Sequence, residues 1–489
     1  MRLLLIYPHQ LFPLETLPRW TQHIWLVEEP LFFHDPIHAP AFHRQKLILH
    51  RASMRHYAEH LIAAGYKVQY WEYDRLSQNG AAGAAAVLMT YAAREGAKGI
   101  YVYEPVDYLL ERRLRRTAQQ KGLSLTFLDT PAFLTTRAQN AAFLSQHKRY
   151  HQTSYYIWQR KRLHILLTDA GEPIGGRWTY DVDNRKRLPP KHRAPAISFP
   201  AADAYVQEAA EYVRKKFPQA WGAEGPWWLP ITHEAAAQWL DNFLQERLAL
   251  FGPYEDAFEP EEPFLYHSVL SPLLNIGLLT PAQVVQRTLQ YAQTHEVPIA
   301  SLEGFIRQVI GWREYIRMVY DTAGTLLRKS NHWRHERDFP SGWEEAQTGC
   351  LPIDTTLRRL YRWGYTHHIE RLMVLGSFLF LNEVHPHKVY QFFMRSYVDA
   401  YDWVMVPNVY GMSQHASPLI TTKPYFCGSR YLLSMSHYPR GEWAERWDQL
   451  FWDWVARHRE ALSRYPRLLP LLRSPKLRSL PGNQTQNAP

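Results

Sequence analysis

The chain has 489 residues, of which 46% are apolar and 21% charged, and a formal net charge of +10. Its length and apolar content support two or three packed domains and exclude general disorder, while the basic surplus favours polyanion partners without specifying one. The only cysteines, Cys350 and Cys427, exclude a disulfide framework and any four-thiolate site built from one chain.

The N-terminal MRLLLIYPHQLFP offers five apolar residues before Pro8, too few for a signal-peptide core. The longest uncharged apolar run, 372–381, is about half a membrane span. A soluble, cytoplasmic, monomeric protein with no membrane partner is the expectation.

Strand and helix signals alternate over residues 1–130. RLLLIY (2–7), IWLVEE (24–29), KVQYWEY (67–73), GIYVYEP (99–105) and SLTFLDT (124–130) read as strands. The stretch 41–65 with its stop at Gly65, the alanine-rich 82–94 and a charged segment near 107–121 read as helices. Repeated strand–helix–strand units predict an α/β domain with a parallel sheet covered on both faces. None of the strands is followed by G-x-G-x-x-G, so the dinucleotide fingerprint is missing.

Residues 131–230 carry prolines at 131, 173, 189, 190 and 195 and little sustained periodicity, and read as an interdomain linker wrapping the surface. Within it HKRYHQTSYYIWQRKR (147–162) interleaves basic and aromatic side chains. That pattern fits either a solvated helix face over aromatic packing or a nucleic-acid contact. Helical periodicity dominates 231–465, and 466–489 reads as a basic, frayed tail.

Four segments of the helical half carry chemistry. LYHSVLSPLLNIGLLTP (265–281) sets Ser268 and a Ser271-Pro helix start where hydroxyls and amides can meet a phosphate, although such N-cap signals are common. EGFIRQVIGWREYIRMVY (303–320) places Gln308 and Trp312 on one face with Arg313 beside them. That face suits a phosphorylated ring cofactor or an ordinary amphipathic helix equally. GYTHHIERLMVLGSFLF (364–380) sets His367 and His368 at the head of an apolar helix. Adjacent helical side chains point about 100° apart, so a shared metal ion is not expected, leaving proton transfer or a polar shoulder. YVDAYDWVMVPNVYGMSQ (397–414) combines Asp399, Asp402 and Asn408 with a proline, and Arg371 is an available partner for a buried carboxylate.

In this order and spacing these segments, with FHRQKLILHRASMRHYA, GGRWTYDVDNRKR and TKPYFCGSRYLLSMSHY, resemble the photolyase/cryptochrome superfamily over roughly residues 1–455. Within it the chain looks most like the bacterial branch of (6-4) and iron–sulfur photolyases. The resemblance implies a Rossmann-like α/β domain followed by a large all-α domain that binds a U-shaped FAD. Tyr254, Ser268 and Ser271 would hold the flavin phosphates and ribityl chain, and Gln308, Trp312 and Arg313 would line the adenine and diphosphate side. Arg371 and Asp402 would pair beside the isoalloxazine ring, with Asn408 nearest flavin N5.

His368 takes the place of the histidine carried by (6-4) repairers, supported by His367, while Leu372 stands where animal and plant enzymes have a second histidine. The activity implied is light-driven repair of (6-4) photoproducts by an electron from reduced FAD. A cryptochrome-type light receptor that binds FAD without repair is the alternative. Damaged DNA is the implied partner, with Lys423 and Tyr425 at the pocket rim. An antenna such as 6,7-dimethyl-8-ribityllumazine would lie near His9, Gln10, Glu28 and Glu29.

The chain departs from the branch twice. Of four cluster cysteines only Cys350 matches, so no iron–sulfur cluster is expected, and packing around Trp443, Trp447, Trp452 and Trp454 would take its place. Phe392 and Phe393 stand where oxidisable carriers of the reduction path belong, leaving Tyr390, Tyr397 or Trp343 as substitutes.

Overall fold

Five strands form where the sequence places them: β1 (Arg2–Ile6), β2 (His23–Val27), β3 (Lys67–Trp71), β4 (Gly99–Tyr103) and β5 (Leu125–Leu128). In the computed structural model, which describes residues 1–35, 37, 41–77 and 83–478, they pair in parallel in the order β3-β2-β1-β4-β5. β1 is central, with Leu4 in register with Ile24 on one side and Tyr101 on the other. Its Leu3–Ile6 run is apolar without alternation because helices cover both faces of the sheet. The strand order reverses direction at β1, so the carboxyl ends of β1, β2 and β4 border the natural crevice of such a sheet.

The Arg44–Ala63 helix follows, with the His43 ring accepting from the Gln45 amide at its start. Lys46, His50 and Arg51 on it are buried because the helix is enclosed on both sides. The sheet lies behind it, the Ala204–Lys216 helix runs along it, and the helical domain closes its first turns through Gln45, Lys46 and His50.

The 131–230 stretch is more ordered than a surface linker. It contains helices Arg137–His147, Gln152–Leu163 and Ala204–Lys216, the first opened by a Thr136–Gln139 capping box. Tyr155 and Tyr156 are fully buried, and the Tyr156 ring lies 2.9 Å from where a Cβ on Gly311 would stand. The aromatic half of the basic–aromatic run is therefore packing against the helical domain. Among residues 466–478 the chain still forms short helical turns, and Leu477 is buried, so the frayed tail does not begin at 466. Residues 479–489 lie outside the described residues.

From His233 onward the structure is helical. Three helices are widened into π turns, at Arg307–Arg313, Glu370–Gly376 and Pro407–Ser413. Each holds residues singled out from the sequence: Gln308, Trp312 and Arg313; Arg371; and Asn408. A π turn re-aims side chains at the expense of regular bonding, and such turns recur at functional sites. The second and third touch at Gly376, where an added Cβ would run into Ser413 Oγ and stand 2.8 Å from the Arg371 carbonyl. No helix among the described residues is long and apolar enough to cross a membrane.

Gly376→Ala is expected to lower the thermal midpoint, at a cost of about 1–3 kcal/mol from overpacking. An unchanged midpoint by calorimetry would show that the two π turns can separate freely.

Candidate active site

Arg371 points from the second π turn into the interior and grips Asp399 with two parallel bonds, Nη1 to Oδ1 and Nη2 to Oδ2, each 2.9 Å. The geometry is the fork-to-fork pairing that makes arginine–carboxylate contacts strong and directional. Asp399 is 4% exposed, and the Ser271 hydroxyl donates to its Oδ2 at 2.5 Å. Asn275 Nδ2 donates to the Asp399 carbonyl at 2.8 Å, and Arg371 Nε to the Thr366 carbonyl at 2.7 Å. Ser271, Arg371 and the 397–401 loop thus converge.

The expected Arg371–Asp402 pair does not form. Asp402, three residues on and at the start of the Asp402–Val406 helix, faces the opposite side. There it accepts from both Tyr320, at 2.6 Å, and Tyr390, and pairs with Arg328. A cavity of about 200 Å³ opens beside this group, lined by Tyr108, Tyr320, Arg328 and Asp402. Asp107 is raised to about 7 there, first by burial and then by the Asp402 charge. The residues alone leave Asp399 and Asp402 both open as partners, and the family resemblance points to Asp402; the chain turns between the two, so that Asp399 is the one that meets Arg371.

His368 is half exposed, with Nε2 3.4 Å from Asp256 Oδ1. Three consecutive residues of one loop serve four neighbours. Tyr254 stacks on Tyr266 at 5.6 Å, Glu255 accepts from Asn184 and Gln308 at 2.7 and 2.6 Å, and Asp256 faces His368. Arg185 Nε lies 3.8 Å from Asp256, and the charge of Asp181 helps burial raise the Tyr425 phenol. Arg185 thus neighbours both Tyr425 and the Asp256–His368 pair, and Lys423, partly exposed, lies two residues before Tyr425. Asp256, Glu255 and His267 were not singled out from the sequence; the Tyr-Glu-Asp triplet beside Tyr254 was the available signal.

His367 is buried with neither ring nitrogen bonded, and its ring stacks on His267 at 4.5 Å and 15°. Nitrogens of His267, His367 and His368 all come within 4.8 Å of one another. His367 lies just before the helix, so the helical 100° argument does not apply to the pair. The stacking does apply: an ion bonds in the plane of an imidazole, and two nearly parallel rings cannot share one in both planes. Burial, reinforced by neighbouring histidine and arginine charges, holds His367 and His267 well below the ordinary histidine range. His367 Nε2 sits 3.6 Å from Glu370, which is pushed up to about 7 by burial despite its bond to Arg359.

Of the remaining candidates, Trp312 is half-buried, and Arg313 lies between the faces of Phe133 and Trp403, each 4.6 Å away. Asn408 Nδ2 turns back to the Val404 carbonyl at 2.8 Å, and the Ser268 carbonyl accepts from Trp239 Nε1 at 3.0 Å. Ser268 is bracketed by Leu265 at φ +45° and Val269 at φ +55°, conformations strained for branched side chains. Arg247, 1% exposed, has Nε and Nη1 without acceptors among the described residues.

The antenna candidates divide. Both Glu28 oxygens are taken, by Arg51 and Tyr70 and by the Tyr73 amide, and both ends of the Gln10 amide bond backbone groups. Those two are structural. Among the described residues His9 Nδ1, Glu29 Oε1 and Tyr7 Oη make no hydrogen bond, although Arg113 Nη1 lies 3.8 Å from Glu29 Oε1, and burial raises Glu29 to about 7. Cys350 lines a cavity of about 190 Å³ with Trp443 and Trp447, while Cys427 bonds Ser377. Trp454 packs against Trp333, Phe380 and Phe426, and Trp452 against Phe451. Phe392 contacts Trp343 at 5.2 Å and Phe393 contacts Tyr397 at 5.4 Å.

This is the architecture of a photolyase-type flavoprotein: a parallel α/β domain joined to a helical domain with a buried arginine–carboxylate pair. Residues 4–228 match the family model of the deoxyribodipyrimidine photo-lyase-related protein, and 305–451 match that of the FAD binding domain of DNA photolyase. A (6-4) photolyase of Agrobacterium fabrum is 30% identical, over 87% of this chain and 86% of its own. Among solved structures, a bacterial class III photolyase from Agrobacterium tumefaciens superposes with a TM-score of 0.57 at 17% identity, over 98% of this chain and 90% of that one. A Synechocystis cryptochrome gives 0.60 at 17%, over 91% and 88%. The chain belongs to the photolyase/cryptochrome superfamily, in its deoxyribodipyrimidine photo-lyase-related branch.

The donor set fits FAD. Arg247 is a buried cation with unspent donors, held down to about 10 by burial, as a site awaiting a diphosphate would leave it. Ser271, Arg371 and Asp399 would supply a polar wall to such a group, and Arg313 with Trp312 a flat, cationic surface.

Buried neutral histidines tie stability to pH. His9 and His335 are lowered to about 3 and His43 and His415 to about 4, chiefly by burial. The unfolded chain takes up protons on these rings below about 6.5 while the folded chain does not, so each costs about 1.4 kcal/mol per pH unit as pH falls below that value. The thermal midpoint should drop steadily from pH 7 to pH 5; a flat profile would show these rings charged in the folded state.

Proposed function

We propose that the protein is a DNA photolyase that reverses pyrimidine–pyrimidone (6-4) photoproducts with light, using FAD held by the helical domain. The observation that carries this reading is His368: half exposed, facing Asp256, and one helical turn from Arg371 and its buried partner. Bound FAD, when reduced and excited by blue or near-ultraviolet light, supplies an electron to the lesion and accepts it back.

Each remaining role belongs to the protein. Asp256 orients the His368 ring through Nε2, so that His368 can pass a proton to a base beside it. Arg371, Asp399 and Ser271 fix the polar wall behind it. Gln308 and Arg307 brace Glu255, which keeps the Tyr254–Asp256 loop in place. His367 supports from beneath. Tyr425 and Lys423 meet the damaged strand at the rim, and the +10 surplus suits phosphate contacts. Extruding the lesion costs a few kcal/mol, least for a damaged pair, which itself favours the right substrate. His9 and Glu29 are assigned to an antenna chromophore on ring and carboxylate atoms left without a hydrogen bond among the described residues.

The test is light-dependent repair of oligonucleotides carrying either a (6-4) photoproduct or a cyclobutane dimer. Repair of the first is expected, with His368→Ala slowing it by about 10²-fold or more, the scale of general acid catalysis. Asp256→Asn should slow it less, through loss of the ring's orientation. Full (6-4) repair by His368→Ala would overturn the assignment of the acid. Light-driven flavin reduction with no repair of either lesion would identify a receptor of the cryptochrome type instead.

A further inference from the structure

Lys46 is a lysine where lysines are seldom found. It sits on the Arg44–Ala63 helix of the α/β domain, 1% exposed, yet its side chain crosses to the helical domain. Its Nζ donates to the carbonyl of Ala400 and lies 4.2 Å from the Phe42 ring centre and 4.8 Å from that of Tyr401. Ala400 is the neighbour of Asp399, and the Asp399 charge is the one that favours the ammonium there. The other titratable groups around it come from several elements. His50 lies one turn along the same helix and bonds the Tyr401 hydroxyl at 2.7 Å, His9 follows β1, and Arg371 is on the far side of Asp399.

A buried ammonium held by one carbonyl and two ring faces, with the Asp399 charge nearby but not in ion-pair contact, contributes little to stability, because desolvation offsets most of what it gains. A hydrophobic side chain would fill the same volume. What the lysine adds is a charge that can come and go beside Asp399. We propose that Lys46 is part of the flavin site, acting as a second cation on Asp399 whose proton occupancy sets how readily the bound flavin accepts electrons. The inference rests on the FAD reading above and names a residue from the α/β domain as its electrostatic control. With Lys46 charged, the Arg371–Asp399–Lys46 group carries one net positive charge; with Lys46 neutral, it carries none. Adding electrons nearby is easier in the first state. Burial lowers Lys46 to about 7, so the change falls within the physiological range.

The full-length protein loaded with FAD is titrated with dithionite as electron donor against a redox dye at pH 6 and pH 8. Lys46→Met should be harder to reduce than wild type at pH 6 and equal to it at pH 8. Lys46→Arg, permanently charged, should match wild type at pH 6 and be easier to reduce at pH 8. Equal midpoints for wild type and Lys46→Met at pH 6 would overturn the proposal. A second measurement needs neither flavin nor repair: the Lys46 side-chain ¹³Cε resonance, assigned by its loss in Lys46→Arg, is followed with pH in the flavin-free protein. Titration near neutrality, moving lower in Asp399→Asn, is expected; titration near the ordinary lysine value of about 10.4 would refute it. Failure of the protein to bind FAD at all would leave this second result standing and would count against the functional reading alone.

Discussion

The ion pair between Arg371 and Asp399 is the constraint on which the rest of the structure depends. Each charge would be expensive to bury alone, and together they persist only because the fork geometry, the Ser271 hydroxyl and the Thr366 carbonyl satisfy their remaining bonding capacity. That requirement reaches outward. Asp399 must arrive on a loop, which fixes where the Asp402–Val406 helix begins. Arg371 must leave its helix at an angle a regular α turn would not give, which the π turn supplies. The α/β domain then closes over the pair with Lys46 and His50.

A gradient of polarity follows from the same arrangement. Toward the surface, His368 and Arg185 are open to solvent and Asp256 is partly so. One layer further in, His267, His367 and Glu370 are sealed, and burial keeps both histidines neutral. Neutral rings add no charge to the interior, so several titratable groups are packed at close quarters without mutual repulsion.

The sheet was legible because buried parallel strands leave unbroken apolar runs, and all five were found within two residues or so of their ends. The helices of 131–230 were not, because short helices punctuated by prolines and packed through buried tyrosines carry a weak period. In the site, the motifs identified the π-turn segments that carry Arg371, Gln308 and Asn408, while the family resemblance paired Arg371 with Asp402. Whether a carboxylate faces in or out of a turn depends on the backbone between i and i+3, and Tyr320, Tyr390 and Arg328, all distant in sequence, capture Asp402. Lys46 was hidden for a related reason. A lysine among basic residues at a helix start reads as solvated, and only the docking of a second domain buries it.

FAD affinity across a double-mutant cycle of Arg371→Ala and Asp399→Ala tests the central claim most directly. The account predicts that either single change weakens binding by about 10²-fold, the scale of a buried charge left unpaired, and that the double variant binds little worse than the poorer single. If the two losses simply multiply, or if neither variant binds FAD less tightly, then this pair does not organise the flavin site and the account fails at its root.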